Sequence, residues 1–564
     1  MKEDTHVKNS PVAASFNRRQ LVQTATVAGV ATAVGGGAAS AAPVPGGSKA
    51  VLAQDGSQAV IGSWLEPATL LSGAPVTGAS YQQIQRVIAN ALVKTGYPSF
   101  EVEPDLAESW EVSEDSRVHT FTLRSGVTWQ DGEPFTAEDV KFTYDLVTKA
   151  EWPGGLDSYF AQIEGATEHK AGEAEELTGV QVIDESTVEI TLVQPDALFL
   201  ASAASRQRIL PKHLLESIAA ADVDKSEFAR KPVYTGAYIV EEWRDGESIT
   251  FRANESYFGG KPNIDTLVAR FIADEATANA ELTSGGLDVG VVSPDLLAAY
   301  EGDSNFAIQQ LPGLRIIFLQ FDLTLPMFSD PRVRQALGHA IDRQTVIDAL
   351  LLGKGEVGRS LITPLAWIFN EDAPQYSFDL EASAALLDEA GWTLGEDGVR
   401  VNEAGERLAF TLTVPTAYRQ DGLAVQPFLE AIGVEATIEE LGAGQVTGPL
   451  AIGEFQATIN AWNNFIIDPR ADLQRWFQNP KPVETTGYKN DEVDALFVEA
   501  RAELDQEAEK AIYFEIQNLV ETDAPLVYLW REQDLLVSNQ RVSVPEVSSL
   551  AELYARIPEW SINS

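Results

Sequence analysis

No cysteine occurs among the 564 residues, and that absence removes several chemistries at once. There can be no disulfide, no thiol nucleophile, no thiolate metal site and no cysteine to carry a lipid anchor. Histidine is nearly as scarce: His6, His119, His169, His213 and His339 are the only five, and none stands at metal-ligand spacing from another. No HExxH, Walker A or G-x-S-x-G run is present. Gly353-Lys354-Gly355-Glu356-Val357-Gly358 has G-x-G-x-x-G spacing, but it follows a helical pattern rather than a strand, the wrong setting for a dinucleotide. Basic residues are the other shortage, with 40 Lys and Arg against 84 Asp and Glu and a net charge of -44. Such a surface repels nucleic acid and anionic lipid, so neither is expected as a main partner. Carboxylate pairs such as Glu108 and Glu111 are unavoidable in so acidic a chain and mark no active site. No catalytic residue, metal ion or cofactor is expected.

What is present is an export signal followed by a globular chain. Arg18 and Arg19 directly precede an uncharged stretch from Leu21 to Ala42, and Ala39-Ser40-Ala41 supplies an A-x-A cleavage site. This order resembles a twin-arginine signal. Left uncleaved, the stretch is just long enough to span a bilayer, although Gly35 to Gly37 make it a poor permanent span. No other segment is a membrane-spanning candidate. The reading is a signal peptide over residues 1–41, a linker over 42–56 and globular structure from near Ser57. With 45% hydrophobic and 9% aromatic residues, the remainder has ample material for more than one core.

Periodicity assigns an α/β chain. His119, Phe121 and Leu123 alternate with Thr120 and Thr122, as a half-buried strand requires. Thr136 and Asp139 have capping-box spacing before a helix with Val140, Tyr144 and Val147 on one face. Asp330-Pro331 opens a second helix, with Val333, Ala336, Leu337, Ala340 and Ile341 as its apolar stripe and Gly353 as its stop. Asp379 starts a third, which carries Leu386 and Leu387 inward and ends at Gly391. Between Gly395 and Thr413 the pattern is a hairpin followed by a strand with Leu408, Phe410 and Leu412. No internal repeat of 20–50 residues interrupts the alternation.

Pro104 to Val112, Phe121 to Val140, Asn254 to Pro262, Ser284 to Val289, Val333 to Ala336 with Ala340 to Arg343, Ala385 to Trp392, and Ile432 to Val434 form an ordered set of segments. This set resembles family 5 of the extracellular solute-binding proteins, the receptors of peptide- and nickel-type ABC importers. Its segments run collinearly from about Ser57 to Val544. The resemblance implies a type II periplasmic-binding-protein fold with two α/β lobes, an extra subdomain in the first, and two hinge strands. Placed on this sequence, lobe one is 57–312 with 525–564, its extra subdomain is about 101–231, and lobe two is 313–524. Apolar runs Ile316 to Leu319 and Leu526 to Trp530 are the expected crossings. The implied function is that of a monomeric, exported receptor, in the periplasm or at the outer face of the cell membrane or wall. It closes its lobes around a small solute and delivers it to a membrane permease.

The same resemblance locates the ligand segment at Ala461 to Pro469 and there meets a departure. In the peptide receptors an aspartate stands three positions after the tryptophan and pairs with the ligand's ammonium; here that position is Phe465. A phenyl ring cannot neutralise a buried ammonium. Ligand contacts are therefore expected from Trp462, Asn463, Asn464, Phe465 and Tyr418. Asp468 is a substitute anchor, although Asp468-Pro469 reads first as the N-cap and N1 of a helix running toward Trp476. Leu441 to Trp462 contains no Lys, Arg or His. Trp367, Phe369 and Tyr376 occupy another loop of the second lobe. An aromatic, amide-rich, charge-poor pocket suits a peptide without a gripped ammonium, or an oligosaccharide stacked on rings. The alternatives are an extracellular hydrolase of glycans or peptides, and a non-transport sensor or chaperone on the same fold.

Overall fold

The computed structural model describes residues 57–63, 66–73, 79–154, 159–272, 274–442, 455–464, 468–479 and 486–563. The expected signal and the linker over 42–56 lie outside these residues, as does Phe465. No described helix is long and apolar enough to cross a membrane.

Three sheets organise the chain. A seven-stranded sheet has the order Phe306–Leu311, Asp534–Asn539, Val289–Val292, Gln58–Ser63, Thr266–Phe271, Ser248–Ala253, Tyr238–Arg244. A six-stranded sheet has the order Gly355–Val357, Leu526–Glu532, Arg315–Phe321, Ala457–Asn463, Ala409–Pro415, Glu435–Leu441. A separate four-stranded antiparallel sheet lies within Ala107–Thr191. The strand predicted around Phe121 belongs to this last sheet, and His119, Phe121 and Leu123 are its buried face.

Local signals set the helix starts. Thr136 and Asp139 form the reciprocal capping box of Ala137–Thr148, which buries Val140, Tyr144 and Val147. Asp330 accepts from Arg332 N at 2.9 Å, with Pro331 at N1. Asp379 accepts from the backbone N–H groups of Glu381 and Ala382 at 3.0 and 2.9 Å. Removing that cap with Asp379→Ala should lower stability by about 1 kcal/mol, read from the midpoint of urea denaturation.

One expectation needs correction. The helix from Pro331 does not continue to Gly353: it ends at Ala340, and a second helix covers Arg343–Leu350. The break has a local cause, because Asp342 starts a new cap on Thr345 N at 3.1 Å. Arg343, buried, meanwhile donates to the carbonyls of Tyr528 and Tyr376 at 2.7 and 2.6 Å. Leu526–Glu532 pairs with Arg315–Phe321 inside the six-stranded sheet, so 526–532 sits with the second sheet, and the chain changes sheets at Gln533. An apolar run shows that a strand is buried but not which sheet it joins.

The two crossing segments nearly touch. A Cβ on Gly313 would lie 1.5 Å from the Glu532 carbonyl oxygen, so only glycine lets these backbones pass. The first crossing strand then splits its side chains between two cores. Ile316 and Phe318 join the core that contains Trp476, while Ile317, Leu319 and Phe321 join the core under helices Pro331–Ala340 and Arg419–Ala431.

Candidate functional site

Strands Ala409–Pro415, Glu435–Leu441 and Ala457–Asn463 run parallel, so their carboxyl ends lie at one edge of the six-stranded sheet. Arg315 pairs with Asn463 across the antiparallel first crossing, so that strand begins at the same edge. The second crossing ends there too, since Ile316 pairs with Arg531. Both connections to the first lobe therefore leave from the edge where the loops after the parallel strands emerge. Crevices outside carboxyl strand ends are where open α/β sheets bind ligands, because loops there are free to vary while the sheet holds them in place.

The predicted site residues divide among three places along this edge. Trp462 is half-buried on the face covered by helix Pro469–Phe477. Its ring meets Trp476 edge-on, with centroids 5.5 Å apart at 80°, and the Arg475 guanidinium lies 5.1 Å above it. Asn463 is exposed at the last strand position, across from Arg315. Asn464 turns inward and is fully buried. Its amide donates to Asp472 Oδ2 at 2.7 Å and accepts from Arg531 Nη1 at 3.2 Å, while its N–H bonds Leu314 O at 3.0 Å. Asn464 thus ties the strand end to the helix and to both crossings.

Asp468 is the expected N-cap, accepting from Arg470 N at 2.8 Å with Pro469 at N1. Its carboxylate is also paired with Arg470, through Nε at 2.9 Å and Nη2 at 3.0 Å, and is only 8% exposed. Arg470 in turn reaches Glu509 at 2.9 Å and lies over the Trp367 ring. Burial works against the Arg470 charge, but the two carboxylates outweigh it and hold the guanidinium protonated. Phe369 is half-buried in the same loop as Trp367. Tyr376 is turned away, with its hydroxyl on the Glu521 and Thr522 carbonyls.

Tyr418 shares the edge but sits on the opposite sheet face, in the short turn Thr416–Tyr418 after Pro415. Around it are Arg315, Asp421 and Glu532, and burial raises its phenol above the ordinary range. Arg315 and Glu532 form an ion pair between the two crossings. Trp530 Nε1 donates to Asp421 Oδ1 at 3.2 Å, and burial pushes that carboxyl up to about 7. Burial does the same to Asp534, just beyond the second crossing. The edge therefore carries cations that Leu441 to Trp462 lacks: Arg315 and Arg475 come from elsewhere in the chain.

Asp472, Arg475, Trp476 and Arg531 were not singled out from sequence. Arg531 is buried and donates to the carbonyls of Leu314, Ser360, Leu361 and Ile362, the last at 2.6 Å. Burial lowers its guanidinium to about 10. Asp472 is fully buried, and that burial pushes its carboxyl up to about 7 against the opposing influence of Asn464, Trp462 and Arg475. One signal was available: 472, 475 and 476 follow the Asp468 cap at helical spacing, which puts them on one face.

The pattern described as "Bacterial extracellular solute-binding proteins, family 5 Middle" matches residues 101–482. The chain belongs to this family. The oligopeptide-binding protein AppA of Bacillus subtilis is 28% identical over 518 residues, covering 90% of this chain and 92% of its own. Its structure in complex with a nonapeptide superposes with a TM-score of 0.74 at 26% identity, covering 91% of this chain and 100% of that one. The dipeptide-binding protein of Escherichia coli is 28% identical, covering 80% and 85% of the two chains. NikZ of Campylobacter jejuni, solved with Ni(L-His), has a TM-score of 0.74 at 25% identity, covering 89% and 99%. This family 5 protein is a substrate-binding receptor of the ABC-transporter class with the two-lobed type II fold. Its family consists of binding proteins rather than enzymes, and their setting is extracellular or periplasmic.

Proposed function

We propose that this receptor encloses a small peptide-class solute between its lobes and hands it to a membrane permease without altering it. One observation carries the reading: both crossings and the Trp462 segment converge on the carboxyl edge of the second sheet. A solute held there touches the second lobe directly and meets the first across the hinge, so it favours the closed form by its extra contacts. The peptide half of the ligand expectation is the one supported by the names of AppA and the dipeptide-binding protein. Export through the leader over 1–41 fits a receptor of this family. The working division is a first lobe of 57–312 with 533–564 and a second of 313–532.

Within the site, Trp462 supplies a flat apolar surface, Asn463 a hydrogen-bonding rim, and Asn464 with Asp468 holds the segment in place. Tyr418 borders the other side of the hinge edge. Trp462→Ala should weaken solute binding by about tenfold or more, in line with loss of a large aromatic contact. Native mass spectrometry of the purified protein, before and after denaturing release, identifies the co-purifying solute. Isothermal titration with that solute then compares wild type with the variant. A peptide mass and a weakened Trp462→Ala variant support the reading; unchanged affinity in a folded variant moves the site elsewhere.

A further inference from the structure

Asp196 and Arg501 meet although they are 305 residues apart and neither belongs to a crossing strand. Asp196 lies on the connection that leaves the four-stranded sheet at Thr191 and enters the seven-stranded sheet at Tyr238. Arg501 lies between the two crossings, in the last turn of helix Asp491–Ala502. Its guanidinium grips the Asp196 carboxylate with two nitrogens, Nη2 to Oδ2 at 2.6 Å and Nε to Oδ1 at 3.3 Å. The backbone repeats the contact, since Ala197 N donates to Arg501 O at 2.8 Å. Carbonyls in a last helical turn have no partner within the helix, so Ala197 satisfies a group that would otherwise need water. Asp196 Oδ1 also accepts from Leu198 N at 3.0 Å, which fixes the carboxylate within its own loop. Gln506 Nε2 reaches Glu101 Oε1 nearby in sequence, at 3.4 Å.

An exposed ion pair contributes little to stability. This one is enclosed, with side chains 1% exposed for Asp196 and 18% for Arg501. Leu198 and Phe199 beside the acid, and Phe497 and Ala500 on the helix, are buried as well. A buried carboxylate without its partner is costly, so Asp196 is enclosed at low cost only with Arg501 against it. The two-nitrogen grip adds direction to the charge, because a guanidinium fork fits a carboxylate in one plane.

We propose that Asp196, Ala197 and Arg501 form a clasp that holds the lobes closed and sets solute affinity without touching the solute. This rests on the reading that the lobes hinge at the crossings and close on a solute, and it deepens that reading by naming what closure must align. A swing about the crossings separates Asp196 from Arg501, and closure hides the carboxylate and the helix-end carbonyl together. Solute and clasp favour the same state, so each strengthens the other. A weakened clasp lowers the closed fraction and raises the apparent Kd in proportion. Arg501 is in this role a positioning residue.

Amide hydrogen exchange at Ala197 reads the clasp directly, because its N–H crosses to Arg501 O. Wild type, Arg501→Gln and Arg501→Lys are compared without trialanine and at saturating trialanine, with strand Ala409–Pro415 as the folding reference. Trialanine should slow Ala197 exchange in wild type. At saturation, Arg501→Gln should speed that exchange by about tenfold with the reference unchanged, and its trialanine Kd should rise by about tenfold. Arg501→Lys should fall between the two. Trialanine that slows Ala197 exchange in wild type, while Arg501→Gln exchanges or binds like wild type, overturns the clasp alone. Trialanine that binds wild type without slowing Ala197 exchange overturns the closure beneath it. If Arg501→Gln also loosens the reference strand, Asp196→Asn takes its place under the same criteria. Should wild type not bind trialanine, the solute released from the purified proteins decides. Less solute retained by Arg501→Gln than by wild type supports the clasp, and equal amounts overturn it.

Discussion

Arg470→Met is expected to lower stability by about 4 kcal/mol at neutral pH, because it strands two buried carboxylates. Asp468 and Glu509 approach the Arg470 guanidinium at 2.9–3.1 Å, and the three side chains are 9%, 4% and 6% exposed for Arg470, Asp468 and Glu509. Methionine fills much of the volume but supplies no charge or donor, leaving the two acids facing one another. The strain falls at the N-terminus of the helix that presents Asp472, Arg475 and Trp476, so solute binding should weaken along with folding. Urea denaturation at pH 7.5 measures the loss, and the deficit should shrink at pH 4.5, where the stranded carboxyls take up protons. A loss under 1 kcal/mol, or one independent of pH, would show that water reaches the triad and screens it. Replacing all three residues by apolar ones of similar volume should recover much of the loss, since removing a whole buried ion group is far less costly than breaking it.

Asp472→Asn carries the second large effect, and its sign depends on pH. The folded carboxyl is pushed up to about 7 from the ordinary 3.8, chiefly by complete burial. The folded state therefore keeps a proton that the unfolded chain releases on going from pH 4 to pH 7. Stability from this group is full at the acidic end, falls as pH rises through that window, and levels off above it. A shift of that size corresponds to about 4 kcal/mol across the window. Asparagine does not titrate and still offers an oxygen to Asn464, so the variant should gain on wild type as pH rises from 5 to 8. Paired denaturation curves at those two pH values isolate Asp472 from Asp421 and Asp534, whose contributions cancel in the comparison. A stability difference that stays flat between pH 5 and 8 would mean that Asp472 is ionised throughout, held by Arg475 and Arg531.

The ligand segment shows how far reading along the chain could go. Asp468-Pro469 is legible as a cap because an N-cap and its proline are adjacent residues acting on the next turn. The fate of Asp468's second oxygen is not legible, because its partner Arg470 is itself fixed by Glu509, 39 residues away. Asn463 and Asn464 are identical in sequence, yet one is exposed and the other is buried against Asp472 and Arg531. Tyr418 follows one strand and Trp462 lies near the end of another at the same edge, yet they sit on opposite faces of the sheet. The side-chain period of a strand is two, so facing cannot be assigned until the pairing register is known.

By itself the sequence determined the α/β class, the family, the helix caps at Thr136, Asp330, Asp379 and Asp468, and the exclusion of thiol chemistry. Each of these rests on neighbours within a few residues, on composition, or on ordered segments that need no contacts to be recognised. Only the tertiary structure decided that the chain changes sheets at Gln533, that the helix from Pro331 stops at Ala340, and that the cleft edge is charged. Those outcomes depend on groups distant in sequence: Glu532 beside Gly313 and Arg315, Tyr528 beside Arg343, and Arg531 beside Asn464. Burial of such groups is favourable only when all their partners arrive together, and no local pattern encodes that requirement.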